Sequence, residues 1–168
     1  MLTVLTNWLD DRGSSRMIRR ADRETGIEHD YLKRFYIFRC PVFSIFIHQF
    51  WASDPDHPHD HPWNNITWIL KGGYWESSAD GKTEWRGKGF KKYRNAQVFH
   101  RLAIGEHSAG QAWTLFLHFK RCRDWGFMTP DGWLSAEDYG VKYGAPVETQ
   151  KKGDYEIVGT FFPKVVWK

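Results

Sequence analysis

The sequence predicts an all-β fold, an antiparallel sandwich or barrel, and three observations carry that prediction. From Phe35 onward, short runs alternate apolar and polar residues and recur about every ten residues, the spacing of strands joined by tight connections and not by helices. Turn signals stand between the runs: Gly72-Gly73, Ala79-Asp80-Gly81 and Pro130-Asp131-Gly132, residue types that accept the backbone angles of a tight reversal. Aromatic residues make up 17% of the 168 residues, ten of them Trp, which suits strands packing large flat side chains into a core. A chain of this length buries such a core without staples.

Taken in order, residues 4–9 predict a short helix, the rest of the first twenty show no clear periodicity, and residues 22–33 predict a second short helix. PVFSIFIHQFW, residues 41–51, predicts a strand with Val42, Ser44, Phe46, His48 and Phe50 on one face and Phe43, Ile45, Ile47, Gln49 and Trp51 on the other. Both faces are apolar, so the strand is expected between two packed layers. Next comes SDPDHPHDHP, feeding a strand that carries His61, then a strand over 66–70. Residues 74–77 and 82–85 flank the Asp80-Gly81 turn as a hairpin. Residues 92–93 are expected to run on into a strand over 96–102, and 112–120 form another after the loop 105–110. A helical turn is expected from Ser135, and the final IVGTFFPKVVWK is apolar enough to dock as a strand. The organisation expected is one domain: an N-terminal extension (1–34), a barrel core (35–134) and a C-terminal extension packed on it (135–168).

The most informative segment is DPDHPHDHPWN, residues 54–64, with three of the eight histidines. His59 and His61 stand two apart, and side chains so spaced on an extended chain leave the same face and converge. Neutral imidazole is the commonest protein ligand for zinc, copper, nickel and iron. A catalytic centre needs a third protein ligand and an open position. His100 is the candidate, because in QVFHRLAI it shares a face with Val98 and Leu102 while Arg101 takes the other.

HDHPWN, then Asn65, six residues and Gly72, resembles the first motif of the cupin superfamily, H-x-H, a short spacer, Glu, six residues and Gly. The second cupin motif supplies one more His on a later strand, where His100 falls. LKGGYWE, YRNAQVFHRL, WTLFLHF and RDWGFMTPDGW extend the likeness to cupin-like proteins of bacteria and their phages over residues 36–133. The resemblance implies a jelly-roll barrel, the double-stranded β-helix. Asn65, or Ile66 with a longer spacer, occupies the usual Glu ligand position, and Asn95 and Gln97 replace the Pro and Gly of the second motif. A three-His centre like that of the thiol dioxygenase branch therefore fits better than one containing a carboxylate. Glu76, after the glycine turn, is the candidate fourth group or acid/base.

The implied function is that of a metal-dependent cupin, a non-haem iron oxygenase of a small molecule, with His59, His61 and His100 as ligands. Fe(II) is favoured, and Zn, Ni or Mn also suit the donors. Two other readings stand beside it: a binding cupin without turnover, and a metal-independent sugar isomerase or epimerase using His100 and Tyr74 as acid and base. His48 is expected in the core or supporting the ligands, His57 in the loop, and His118 as a satisfied sheet histidine. Asp60 points away from the ligand pair, either steadying the loop or accepting from a ligand ring. Arg94 and Arg101 are candidates for pairing with a substrate anion, Arg101 standing outside the barrel, and Tyr74, Trp63 and Trp68 for a pocket wall.

The net charge of +4 comes from scattered basic residues, which admits an anionic small-molecule substrate but accompanies no nucleic-acid-binding motif. Mean hydropathy is −0.62 and no apolar stretch approaches the ~20 residues of a membrane span. The first residues lack the features of a secretory signal, so a soluble, cytoplasmic protein is expected, paired as a homodimer through edge strands. Cys40 and Cys122 are expected as reduced thiols in or near the core, without a disulfide.

Overall fold

A computed structural model describes residues 1–21, 27–105 and 108–143. The elements run α1 (Leu2–Asp11), β1 (Ser15–Ala21), β2 (Glu28–Arg39), β3 (Phe43–Phe50), β4 (Asn65–Lys71), β5 (Gly73–Ser78), β6 (Thr83–Gly87), β7 (Lys91–Arg94), β8 (His100–Ala103), β9 (Ala112–Phe119), β10 (Gly126–Thr129), β11 (Gly132–Ser135) and α2 (Ala136–Tyr143). One sheet has six strands in the order β1-β2-β3-β9-β4-β7, all antiparallel. Facing it are β6-β5-β8 and the hairpin β10-β11. Residue 59 joins these two pieces, bridging to His100 on one side and to Phe127 on the other. The all-β, jelly-roll expectation therefore holds.

The strand β3 lies between two layers, as its two apolar faces require. Ile47 packs outward with Phe35 and Leu9, under α1, while Phe50 packs inward with Leu32, Ile69, Tyr74, Leu102 and Ala112. Helix α1 contributes one apolar side, Leu9 with Leu2 and Trp8, to the outer face of the six-stranded sheet. Gly72 sits at φ +64 between β4 and β5, and a Cβ there would stand 2.3 Å from the Gln111 carbonyl oxygen. The reversal and the close approach both demand glycine.

Several expectations change. Residues 28–33 are strand, not helix: Leu32 and Phe35 are buried and β2 is held by ladders on both sides, to β1 and β3. Tertiary pairing overrides the weak local helical pattern. The unpatterned start contains an edge strand, β1, whose arginines leave it without an apolar signature. Lys92 and Leu102 do not share a strand, because β7 and β8 belong to different sheets. The chain reverses between them with Val98 N donating to the Asn95 carbonyl (3.1 Å) and Gln97 N to Asn95 Oδ1 (3.0 Å). His61 lies just outside the ladder, not on a strand. Both cysteines are free, as expected, but Cys122 is exposed. The helical turn from Ser135 grows into α2. The tail expected to dock as a strand lies outside the described residues. Among the described residues no helix is long and apolar enough to cross a membrane.

Candidate metal centre

The loop that carries the paired histidines is stitched down on both sides by its own backbone. His59 N donates to the His100 carbonyl (2.9 Å) and His100 N to the His59 carbonyl (3.0 Å), so the two residues exchange both bonds of an antiparallel pair. Asp60 N reaches the Gly126 carbonyl (3.0 Å), His61 N the Ala96 carbonyl (3.0 Å), and Met128 N the Pro58 carbonyl (2.8 Å). Pro58 and Pro62 need no donor partners, and Pro62 O accepts from Cys122 N (2.9 Å). An extended HDH segment whose three backbone N–H groups are all bonded places both imidazoles on one side, as their spacing requires.

Those rings meet His100. The three ring centroids form a near-equilateral triangle: 5.0 Å for His59–His61, 4.9 Å for His59–His100 and 5.1 Å for His61–His100. One ring nitrogen from each lies within 4.8 Å of the others, and Nε2 of His61 is 2.8 Å from Nε2 of His100. Two nitrogens bound side by side to one ion at ~2.1 Å stand ~3 Å apart, so this pair has a spacing a divalent metal accepts. Burial lowers the pKa of His59, lowers that of His61 further, and pushes His100 down to about 4. All three rings are therefore neutral at pH 7, the form that ligates metals. The donor set fits a metal ion.

Behind two of the rings stand carboxylates. His59 Nδ1 faces Asp54 Oδ2 at 3.7 Å, and His100 Nδ1 faces Glu76 Oε1 at 3.2 Å. Asp54 is held by Leu102 N (2.6 Å) and by the Tyr31 hydroxyl. Glu76, 3% exposed, is gripped by Arg94 Nε at 3.0 Å and by a second Arg94 nitrogen. Arg86 Nε (3.0 Å) and Lys92 Nζ (3.4 Å) hold its other oxygen. Burial acts to raise Glu76, but the contacts with His100 and Arg94 outweigh it and hold the carboxyl far below the usual range.

The sequence candidates thus separate. His59, His61 and His100 come together. Glu76 lies beside them but does not line the cavity they face, whose volume is about 580 Å³. Asp60 points away and is fully buried, accepting from Gly126 N (2.7 Å) and from Arg123. Its role is to fix the loop. His48 lines the cavity and accepts from Arg34 Nε (3.1 Å), while His118 stacks on Trp63 at 4.1 Å and bonds Phe119 O. His57 bonds the Tyr139 hydroxyl in the loop (3.0 Å). Arg94 is not available to a substrate anion, because Glu76 and Thr67 take it. Arg101 stands away from the ligands as expected, donating to Pro55 O (2.8 Å). Trp63 and Tyr74 line the cavity, but Trp68 faces outward under Lys91.

Sequence reasoning missed Asp54 as the residue behind His59 and Arg94 as the partner of Glu76. Asp54 lay within the quoted segment, five residues before His59. The Glu76–Arg94 pairing joins β5 and β7, which are not neighbours in any sheet, so no local pattern encodes it.

No family model and no curated protein matches the sequence. Solved structures do. The polyketide cyclase RemF from Streptomyces resistomycificus matches over 75% of this chain and 87% of its own, with a TM-score of 0.53 and 18% identity. FeII HppE matches over 64% of this chain with a TM-score of 0.49 and 16% identity, and KdgF from Halomonas sp. over 61% with 0.45 and 16%. The match spans 57% of the HppE chain and 88% of the KdgF chain. The match to RemF and the antiparallel strands arranged in two facing sheets give this chain the cupin-type jelly-roll fold.

Proposed function

We propose that His59, His61 and His100 hold a divalent metal, Fe(II) in the favoured case, and that the chain is a non-haem iron oxygenase of a small molecule. The observation that carries this is the triangle of neutral imidazoles with buried carboxylates behind two of them. Iron held by these three uncharged side chains would keep its double positive charge and would supply redox activation of dioxygen.

The chain's own residues do the rest. Glu76, 3.2 Å from His100 Nδ1, favours the proton on that outward nitrogen and leaves Nε2 as the lone-pair donor, while Asp54, 3.7 Å from His59 Nδ1 and beyond hydrogen-bond reach, acts on that ring through its charge. Glu76 does this as a permanently ionised group, since three cationic side chains surround it. It is a positioning residue and not the acid/base that the sequence suggested. Phe50, Phe116, Phe127 and Trp125 give the cavity walls that exclude water from the reacting groups.

The isomerase alternative pairs a neutral base, His100, which burial pushes down to about 4, with a protonated acid, Tyr74, which burial raises to about 12, and it differs from the oxygenase in needing no metal. Oxygen uptake by the iron-loaded protein, screened with thiols and diphenols, tests the proposal. Substrate-dependent uptake that disappears when zinc replaces iron is the expected result; turnover with zinc, or without any metal, would contradict it.

A further inference from the structure

Buried polar groups in folded proteins are nearly always hydrogen-bonded, so those left over point to something outside the fold. Among the described residues, the buried side-chain polar atoms without a hydrogen-bond partner all belong to six residues: Arg20, His59, Trp63, Asn65, His100 and Thr114. Every one of the six lines the same cavity. The outer nitrogens of His59 and His100 face carboxylates, and Arg20 and Trp63 are partly exposed. Asn65 and Thr114 differ: each is 1% exposed, and the whole amide of Asn65 and the hydroxyl of Thr114 are unspent.

Their placement is informative. In the β4–β9 ladder, Asn65 opposes His118, Thr67 opposes Phe116, and Ile69 opposes Thr114. Thr114 is therefore four residues along β9 from the partner of Asn65, ~13 Å at the rise of an extended strand. The row between them is Thr67–Phe116, and the His61 ring lies 6.5 Å from Phe116. One corner of the histidine triangle, His61, therefore stands beside the middle row of the line whose ends are Asn65 and Thr114. Aromatic side chains wall the space between.

The fully buried groups narrow the ligand further. Of the arginines that line the cavity, Arg121 pairs with Asp124 at 2.7 Å, while Arg34 donates to His48 and Arg20 to the Ser53 carbonyl (2.7 Å), with Arg20 Nε left over on a partly exposed side chain. The two unspent groups on fully buried side chains are an amide and a hydroxyl, which match uncharged oxygen groups.

We propose that the cavity takes an elongated, flat, mostly apolar molecule with an uncharged hydrogen-bonding oxygen at each end. A two-ring diphenol or the corresponding quinone is the class that fits, one end on the Asn65 amide and the other on the Thr114 hydroxyl. This names a substrate class for the proposed oxygenase and rests on that reading only for the role of the histidines.

Calorimetric titration with para,para′-biphenol, compared with para-phenylphenol, tests it on metal-loaded and metal-depleted protein. Biphenol binds saturably, and phenylphenol, lacking one end, binds about tenfold more weakly, the worth of one buried hydrogen bond. Asn65→Leu and Thr114→Val each weaken biphenol by about tenfold and abolish its advantage over phenylphenol. Both variants keep the metal content of the wild type and melt at the same or a higher temperature, because an unsatisfied polar group has left the interior. No saturable binding of biphenol, or equal affinity for the two probes, would overturn the proposal, and neither outcome needs a variant to fold. Loss of metal from Asn65→Leu would also overturn it, since Asn65 would then be a ligand. Biphenol binding by a wild type that takes up no metal would contradict the oxygenase and support this subsite.

Discussion

His59, His61 and His100 face the cavity from the loop and β8, and His48 faces it from β3 in the other sheet. All four rings are buried deeply enough to be pushed below the ordinary histidine pKa, and His48 is as strongly depressed as any. What differs is the group behind the ring. Carboxylates stand behind His59 and His100, and their negative charge favours the proton on the outer nitrogens and the lone pair on the inner ones. A guanidinium stands against His48, and its Nε2 lone pair is already taken by Arg34. Burial alone makes a histidine neutral; the charge of its neighbour decides where the lone pair points.

The largest effect expected from breaking this contrast is at Glu76. Glu76→Gln leaves Arg94 buried and without its counter-charge, which costs about 3–5 kcal/mol for a broken buried pair. Urea denaturation of the two proteins measures it; a change under 1 kcal/mol would mean that the charge cluster is dispensable. Asp54→Asn removes a carboxylate from behind His59, and metal affinity falls by about 10–100-fold, as for other lost supports of a ligand ring. Competition with a chelator of known affinity reads that change. An unaltered affinity would separate Asp54 from the centre.

Acid should also discriminate. In the metal-free protein the folded pKa values of these histidines lie below the ordinary 6.5, with His100 and His118 at about 4. As pH falls through 6.5 the unfolded chain takes up protons that the folded chain refuses, so stability is full above 6.5 and declines from there to about 4. Bound metal opposes the loss by favouring the folded, deprotonated state. Melting temperatures of metal-free and metal-loaded protein across this range check the sign; a flat metal-free profile would contradict it. The smallest effect is at Arg34. Arg34→Met frees His48 at a cost near 1 kcal/mol, one hydrogen bond, and leaves metal content unchanged.

The cluster of His59, His61 and His100 was legible in the sequence because the chemistry is local there. H-x-H on extended chain forces two imidazoles to one side, and a strand histidine among apolar neighbours needs a polar reason to point inward. Strands β3 to β6 were legible for a similar reason, alternation bounded by glycine turns. The rest depends on contacts that sequence spacing does not encode. β1 and the start of β2 become strand only because they pair with each other and with β3. The pairing of Glu76 was not legible, because nothing near it in the chain announces that Arg94, eighteen residues later, folds over it. Trp68 looked like a pocket wall because it shares the apolar face of β4 with Ile66 and Leu70, yet the face turned inward is the one with Asn65, Thr67 and Ile69.

The central claim is that the three histidines, and not the fourth, hold the metal. Elemental analysis of protein purified without a histidine tag or chelator, comparing wild type with His100→Ala and His48→Ala, tests it most directly. The account predicts near-stoichiometric metal, iron in the favoured case, in wild type and His48→Ala and its loss in His100→Ala. Metal retained by His100→Ala, or lost equally from both variants, would contradict it.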